Sequence, residues 1–163
     1  MRSLVKSAAA AAILALFSTG CATSPFGQAG ASARDLGPAQ ALRQPGRIGE
    51  TVLWGGRIVG VVNTGEATEL EILALPLGPG DRPRRNAEGG ARFVIRQAGF
   101  LEPMTFAPGR HVTALGEFSG IESRSVGAFP LDHPVLEVRQ IELWPVEPNS
   151  AYGNVHFGIG VRL

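Results

Sequence analysis

The stretch TVLWGGRIVGVV, residues 51–62, decides the fold of this chain, because β-branched and apolar side chains occupy both of its alternating sets of positions. Gly55, Gly56 and Gly60 lie inside the stretch, and glycine within a strand marks a bulge or a sharp coil. Trp54 is expected to pack in the core or at its rim, since large aromatic side chains contribute most per residue to a small core. The pattern predicts one long strand that bends and serves both sides of a small barrel.

The chain after this stretch is divided into further short strands by glycine and proline. Alternating or β-rich segments recur at intervals of roughly 8–15 residues, which favours a sandwich or a barrel. They cover residues 68–75, 91–98, 111–118, 135–144 and 155–163. A long polar loop is expected over residues 76–90 and a hairpin-like excursion over residues 120–134. No strong amphipathic helix pattern follows residue 50. We therefore predict an all-β fold over residues 51–163, a small antiparallel barrel resembling an OB-fold.

The N-terminus has the three parts of a secretory signal. Arg2 and Lys6 come first without an acid, residues 8–17 are apolar, and Ser18, Thr19 and Gly20 are small or weakly polar. The apolar run is too short to span a membrane, which takes about 20 apolar residues. A buried N-terminal helix is the alternative, but it does not explain the leading cations. We predict a signal peptide over residues 1–20.

Cys21 is the single cysteine and follows the small residues directly, so it would become the first residue of the mature chain. Its position resembles the lipobox of bacterial lipoproteins, in which the cysteine is acylated, although Ser18 stands where such motifs usually carry leucine. One acyl chain binds a membrane marginally, whereas two or more hold stably. Residue 22 is Ala and not the Asp typical of inner-membrane retention, so the resemblance implies the outer membrane, facing the periplasm.

Residues 21–50 are expected to form the lipidated N-terminus and a flexible tether. The region is rich in Ala, Gly, Gln, Pro and Ser and shows no sustained period, a composition typical of linkers. The whole chain carries 15 basic and 14 acidic side chains; without Arg2 and Lys6, 13 arginines face those 14 acids, for a formal net charge of −1. This balance argues against nucleic acid as a partner.

Several short motifs resemble the Slp family of outer-membrane lipoproteins and follow one another in family order. The most specific are the Trp-Gly-Gly stretch at residues 54–56 and the Phe-Leu-Glu-Pro stretch at residues 100–103. Others are Cys21, Asn63, Thr68–Glu71, Pro76–Leu77, Arg92–Phe93, Pro108–Arg110, Val112–Thr113, Gly116 and Leu143–Trp144. The resemblance implies a lipid-anchored β-domain that faces the periplasm, and it implies no established reaction.

No catalytic or metal-binding group is predicted. The histidines lack a second His or Cys at metal-ligand spacing, and we expect Asp132-His133 to form a turn and not a dyad. The segment from Gly116 to Gly120 lacks a central serine for a nucleophile elbow, so we interpret it as a strand end with turn glycines. Glu69 and Glu71 could form an acid–base pair, but we favour the solvent face of a strand, with Leu70 and Ile72 inward. No cofactor is expected.

Three arginines cluster in the long loop, and they are the remaining candidates for binding. Arg82, Arg84 and Arg85 could meet lipid headgroups or lipopolysaccharide phosphates, since arginine binds phosphate with two parallel hydrogen bonds. Asp81 and Glu88 dilute the charge, and a solvated loop is the plainer interpretation. Trp54, Gly55 and Gly56 are candidates for packing or binding.

The sequence therefore predicts a non-catalytic protein of the cell envelope, with a structural or a binding role. It would be held at the periplasmic face of the outer membrane by acyl chains on Cys21, with an envelope protein or a lipid headgroup as a possible partner and no nucleic acid. The alternative is an envelope hydrolase or transferase whose site is assembled from distant residues, because fold alone does not decide activity.

Overall fold

The structure is a computed structural model that describes residues 23–146. Cys21, the predicted signal peptide and the predicted strand at residues 155–163 lie outside the described residues. The strands are β1 (Thr51–Asn63), β2 (Ala67–Ala74), β3 (Arg92–Ala98), β4 (His111–Val126) and β5 (Phe129–Leu143). Short helices α1 (Gly27–Ser32) and α2 (Pro38–Ala41) precede them, with 3₁₀ turns at Pro45–Arg47 and Pro79–Asp81. None of the helices described is long and apolar enough to cross a membrane.

The five strands close into one barrel in the order β1-β2-β3-β5-β4, with β4 returning to β1. This confirms the predicted all-β, OB-like barrel. Four of the neighbouring pairs are antiparallel, whereas β3 and β5 run parallel. The parallel pair differs from the expected antiparallel barrel. The sequence could not reveal it, because side chains alternate with the same period of two in both arrangements.

Strand β1 bends and serves two neighbours, as its glycines predicted. Its first half pairs with β4, where Val52 lies opposite Gly116, and its second half pairs with β2, where Val61 lies opposite Leu70. The register shifts between Ile58 and Gly60. At Gly56 a Cβ atom would lie 2.1 Å from the carbonyl oxygen of Leu73. The two backbones can approach this closely only because the side chain is absent.

Three aromatic side chains form the centre of the barrel core. Trp54 packs edge-on against Phe93, with ring centroids 5.3 Å apart, and lies 5.8 Å from Phe118. The aliphatic side chains around them come from all five strands and from the N-terminal segment. The core members include Leu36, Ala41, Val52, Ile58, Leu70, Ile72, Ile95, Val112, Ala114 and Leu136. Leu70 and Ile72 point inward, as predicted.

The β4–β5 hairpin is longer than the sequence indicated. The expected excursion at residues 120–134 is the outer half of this hairpin, which turns at residues 127–128. The segment from Gly116 to Gly120 therefore lies inside β4 and does not end a strand. Asp132-His133 lies inside β5, so the predicted turn is wrong. The strands continue because they pair with each other, and this partnership outweighs the low strand propensity of the Ser, Gly and Pro residues.

The N-terminal segment packs against the barrel and is not a tether in its described part. Phe26, Leu36 and Ala41 are buried. The indole Nε1 of Trp54 donates a hydrogen bond to the carbonyl oxygen of Leu36 at 2.6 Å, and the amide of Leu53 donates to the carbonyl of Ala33 at 2.8 Å. A few isolated apolar residues thus anchor a segment whose composition resembles that of a linker.

Candidate functional site

One end of the barrel brings together the start of the described chain, the loop of residues 75–91 and the last residues of β5. The link is Asp81, whose side chain is fully buried. Its carboxylate accepts a hydrogen bond from Ser24 Oγ and forms an ion pair with Arg34. Its backbone carbonyl accepts from Thr113 Oγ1 at 2.7 Å. We call Asp81, Ser24 and Arg34 the N-terminal clamp.

The loop backbone is held in an unusual conformation at this point. Asp81 has a φ of 62° and is the one non-glycine residue with positive φ among residues 23–146. Gly80 precedes it with a φ of 66°. Asp tolerates the left-handed region better than most residues, but the conformation persists only where the surroundings hold it. Here the clamp and Thr113 hold it, so the loop and the N-terminal segment fix each other.

A cavity of about 500 Å³ lies beside the clamp, between the N-terminal segment and the ends of β1 and β2. Its walls are mostly apolar. They include Pro38, Leu53, Trp54, Gly55, Leu75 and Leu77, with Arg34, Gln40 and Glu88 as the charged or amide side chains. The size suits a small apolar ligand. Few polar groups converge on it, so the cavity offers shape and apolar surface more than chemistry.

On the other side of the clamp, cationic side chains gather around Trp144. A second cavity of about 240 Å³ is lined by Arg85, Arg110, His111 and Trp144. The guanidinium of Arg82 lies over the indole ring of Trp144, 5.0 Å from its centroid, in a cation–π contact. Arg57 lies opposite His111 in the β1–β4 pairing. We call this group the arginine cluster: Arg57, Arg82, Arg85, Arg110 and His111.

Two members of the cluster show how cationic the surroundings are. Burial lowers the pKa of His111, and the nearby Arg85, Arg57 and Arg82 lower it further. The guanidinium of Arg110 donates to the carbonyl oxygens of Thr105 at 3.0 Å and of Trp144 at 3.1 Å. Its Nε is buried without a hydrogen-bond partner in the described part of the chain. Arg57 and Arg85 form no ion pair within residues 23–146, and cations grouped in this way attract an anion.

The outer face of β2, β3 and the β4–β5 hairpin carries a network of ion pairs. The guanidinium of Arg96 bonds Glu69 at 2.7 Å, Glu122 at 2.8 Å and Glu137 at 3.0 Å. Arg124 bonds the other oxygen of Glu69 at 2.8 Å. Hydrogen bonds, chiefly from Arg124, lower the pKa of Glu69. The carboxylates are neutralised by fixed arginines, so the network stabilises the sheet and does not supply an acid–base pair.

The other titratable candidates do not assemble into a catalytic group. Asp132 is exposed and His133 is buried, so they lie on opposite sides of β5. His133 Nε2 lies 3.6 Å from a carboxylate oxygen of Glu71, which also pairs with Arg92. No group of three potential metal ligands occurs between residues 23 and 146.

The structure separates the residues singled out in the sequence. Trp54 and Gly55 are buried and line the larger cavity, while Gly56 permits the close approach of β2. Arg82 and Arg85 meet at Trp144. Arg84 is exposed and does not line the cavity at Trp144. Its side chain lies beside Gly78.

Sequence reasoning missed the residues that complete this end of the barrel. Arg57 lies in β1, His111 begins β4 and Arg110 directly precedes it, and no local pattern joins them to the loop of residues 75–91. Asp81 was interpreted as an acid that dilutes the loop charge, but its burial removes it from the cluster. The one local signal was the Gly80-Asp81 pair, because such pairs favour left-handed backbone.

Comparison with known proteins places the chain among outer-membrane lipoproteins. A sequence model described as the outer membrane lipoprotein Slp family matches residues 19–158. Outer membrane protein Slp of Escherichia coli K12 is 30% identical over 120 residues, covering 72% of this chain and 63% of the relative. The chain belongs to the Slp family of outer-membrane lipoproteins, as its motifs indicated.

One more relative and one solved structure are also similar to this chain. The E. coli lipoprotein YeaY is 31% identical over 137 residues, covering 82% of this chain and 70% of the relative. This chain therefore spans under two thirds of Slp and somewhat more of YeaY. A small single-stranded DNA-binding protein from Streptomyces coelicolor matches with a TM-score of 0.38 and 11% identity, covering 58% of this chain and 94% of that protein.

Proposed function

We propose that Cys21 is the acylated first residue of the mature protein and that residues 1–20 are removed as its signal peptide. The barrel domain, residues 51–163 with the described segment 23–50 packed on it, then faces the periplasm from the outer membrane. Its role is non-catalytic, as a binding or structural module of the envelope.

The position of Cys21 carries this proposal. The residue follows the small residues that end an apolar signal, and the family match begins at residue 19 and so includes it. Acylation of the thiol and of the new N-terminal amine would supply enough chains for stable attachment, because each buried CH₂ contributes about 0.8 kcal/mol.

The disposition of charged groups supports a non-catalytic role. The carboxylates with lowered pKa values, among them Glu69 and Glu122, are bonded to arginines. The large cavity is bordered by Arg34 and Glu88 but by no histidine, serine or cysteine. A hydrolase needs a nucleophile within reach of a base, and the described residues present no such pair there.

Substitution of the cysteine tests the anchor. In cells, Cys21→Ser should abolish incorporation of labelled palmitate and shift the protein from the outer-membrane fraction to the soluble fraction or to an unprocessed precursor. Ala22→Ser is the matched control and should retain both label and location. A Cys21→Ser protein that is processed and remains in the outer membrane at full yield would contradict the proposal.

Protease treatment tests the orientation. A periplasm-facing barrel should resist protease added to intact cells and become accessible once the outer membrane is permeabilised. Digestion in intact cells, with a periplasmic marker protein left whole, would show instead that the domain lies on the cell surface.

A further inference from the structure

The arginine cluster has the composition of a phosphate site, and two of its arginines, Arg57 and Arg85, have no acidic partner in the described part of the chain. Arg57, Arg84 and Arg85 have no carboxylate within 4.0 Å among the described residues. The acids that flank the loop arginines in sequence point elsewhere: Asp81 is buried in the N-terminal clamp, and Glu88 lines the larger cavity. Neither of these two acids therefore neutralises Arg84 or Arg85 in the folded protein.

Trp144 adds to the arginine cluster a side chain suited to a membrane surface. Its ring lies beneath the guanidinium of Arg82, and its Nε1 donates to Thr113 Oγ1 at 2.9 Å. A partly exposed indole with a fixed polar end suits the boundary between lipid and water. The exposed side chain of Val146 lines the same small cavity. Cations, an indole and an apolar residue thus share one surface.

The cluster also lies close to the point of membrane attachment. Ser24 is bonded to Asp81, and Asp81 directly precedes Arg82. Ser24 is the third residue after Cys21, so a fully extended chain places them at most about 11 Å apart. If Cys21 is acylated, as proposed above, the membrane surface lies within that distance of the clamp. The headgroups are then the nearest source of phosphate.

We propose that the arginine cluster binds the phosphate groups of anionic membrane headgroups and holds the domain directly on the membrane, with the loop of residues 75–91 and Trp144 against the surface. Arginine presents two parallel N–H donors to phosphate oxygens, and Arg57 and Arg85 both lie close enough to His111 to act on its charge. That the surface is the outer membrane rests on the acylation of Cys21 proposed above. The phosphate-binding site itself does not depend on that acylation.

The test uses the full chain carrying Cys21→Ser, so that its outcome does not depend on acylation. Binding is measured by co-flotation with vesicles of phosphatidylglycerol and of phosphatidylcholine, and the ratio of the two affinities is compared between variants. Insertion of the apolar residues 8–17 contributes equally to both affinities, so it does not change their ratio. Arg57→Gln/Arg85→Gln should lower the ratio about 20- to 30-fold, since each cation near an anionic surface contributes roughly fivefold.

Arg43→Gln/Arg139→Gln is the matched control, because it removes two cations outside the cluster. Its ratio should fall less than about threefold, through the change in net charge alone. Equal losses in the two double variants, or no loss in the first, would overturn the proposal. Arg57→Lys/Arg85→Lys, which keeps the charge, should restore part of the binding, and an unchanged melting temperature of the glutamine variant shows that it is folded.

Two measurements on the chain with its native cluster distinguish a membrane surface from a soluble anion. Brominated phosphatidylglycerol should quench Trp144 fluorescence, identified by its loss in Trp144→Phe, whereas brominated phosphatidylcholine should quench it much less. Inorganic phosphate at the same phosphate concentration should leave the fluorescence unchanged. Saturable binding of inorganic phosphate without lipid quenching would show a soluble-anion site and overturn the membrane-docking inference.

Discussion

Two glycines show how single residues set the shape of the barrel. A Cβ atom at Gly56 would lie 2.1 Å from the carbonyl oxygen of Leu73, and one at Gly116 would lie 2.1 Å from that of Glu137. Neither glycine has a positive φ. Glycine is therefore required at both positions because no side chain fits there, and not because of the backbone conformation. Strands that coil tightly around a small barrel bring their backbones into contact.

Gly56→Ala should lower the free energy of unfolding by about 1–3 kcal/mol, because the methyl group forces β1 and β2 apart. Gly60→Ala, in the same strand, is the control: its nearest neighbour would be 3.5 Å away, an ordinary contact. We expect a change below about 1 kcal/mol there. Chemical denaturation of both variants measures the difference, and equal effects would show that close approach is not what requires Gly56.

At the scale of elements, Arg96 holds together strands that are otherwise weakly joined. The parallel β3–β5 pairing has three register pairs, Val94 to Arg96 with Val135 to Glu137. The guanidinium of Arg96 bonds carboxylates on β2, β4 and β5. Hydrogen bonds that Glu122 accepts from Arg96 and from Arg124 lower the pKa of Glu122. The network thus closes the barrel from its outer face.

Arg96→Met should destabilise the protein by about 1–2 kcal/mol at pH 7, because it leaves three carboxylates without their shared cation. A lowered carboxyl pKa stabilises the fold above the unfolded value, near 4.5, and that contribution is lost as pH falls through the folded value. The difference between variant and wild type should therefore shrink between about pH 4.5 and pH 3.

Arg139→Met is the control for this experiment, because its pair with Glu117 is exposed and involves two strands only. Arg139→Met should lower the free energy of unfolding by less than about 0.5 kcal/mol at either pH. Denaturation at pH 7 and pH 3 gives both values. A difference at Arg96 that stays constant with pH would mean that packing of the side chain, and not charge, is what matters.

The sequence predicted the elements whose side chains alternate and missed those held by distant contacts. Strand β1 was expected at residues 51–62 and runs Thr51–Asn63; β2 and β3 are similarly close. The outer half of the β4–β5 hairpin was interpreted as an excursion, because its Ser and Pro residues gain strand structure only through pairing with each other. The arginine cluster combines residues of two loops and two strands, so no local period could show it.

For the molecule as a whole, the N-terminal segment is part of the folded domain. Leu36 is 2% exposed and belongs to the same core as Trp54 and Phe93. Gln140 Nε2 donates to the carbonyl of Pro25 at 3.0 Å, which ties the segment to β5 as well. The predicted barrel domain is therefore extended at its N-terminus to about residue 24.

Leu36→Ala should destabilise the domain by about 2–4 kcal/mol, because it opens a cavity next to the central indole. Arg43→Ala is the matched control: it is exposed, lies in the same segment, and has no ion pair among the described residues. Thermal unfolding should show a clear decrease for the first and almost none for the second. A flexible tether would tolerate both, so two unchanged melting temperatures would restore that interpretation.

The hydrogen bond from Ser24 to Asp81 also bears on the order in which the proposed processing and the folding of this protein take place. If Cys21 is acylated and cleaved as proposed, processing takes place three residues before Ser24, which is bonded to Asp81. At most about 11 Å of backbone separates the two residues. Processing at Cys21 would thus come before the hydrogen bond between Ser24 and Asp81 forms, or it would have to break that bond. Closure of the N-terminal clamp would then be the last step of folding, and it would follow processing at Cys21.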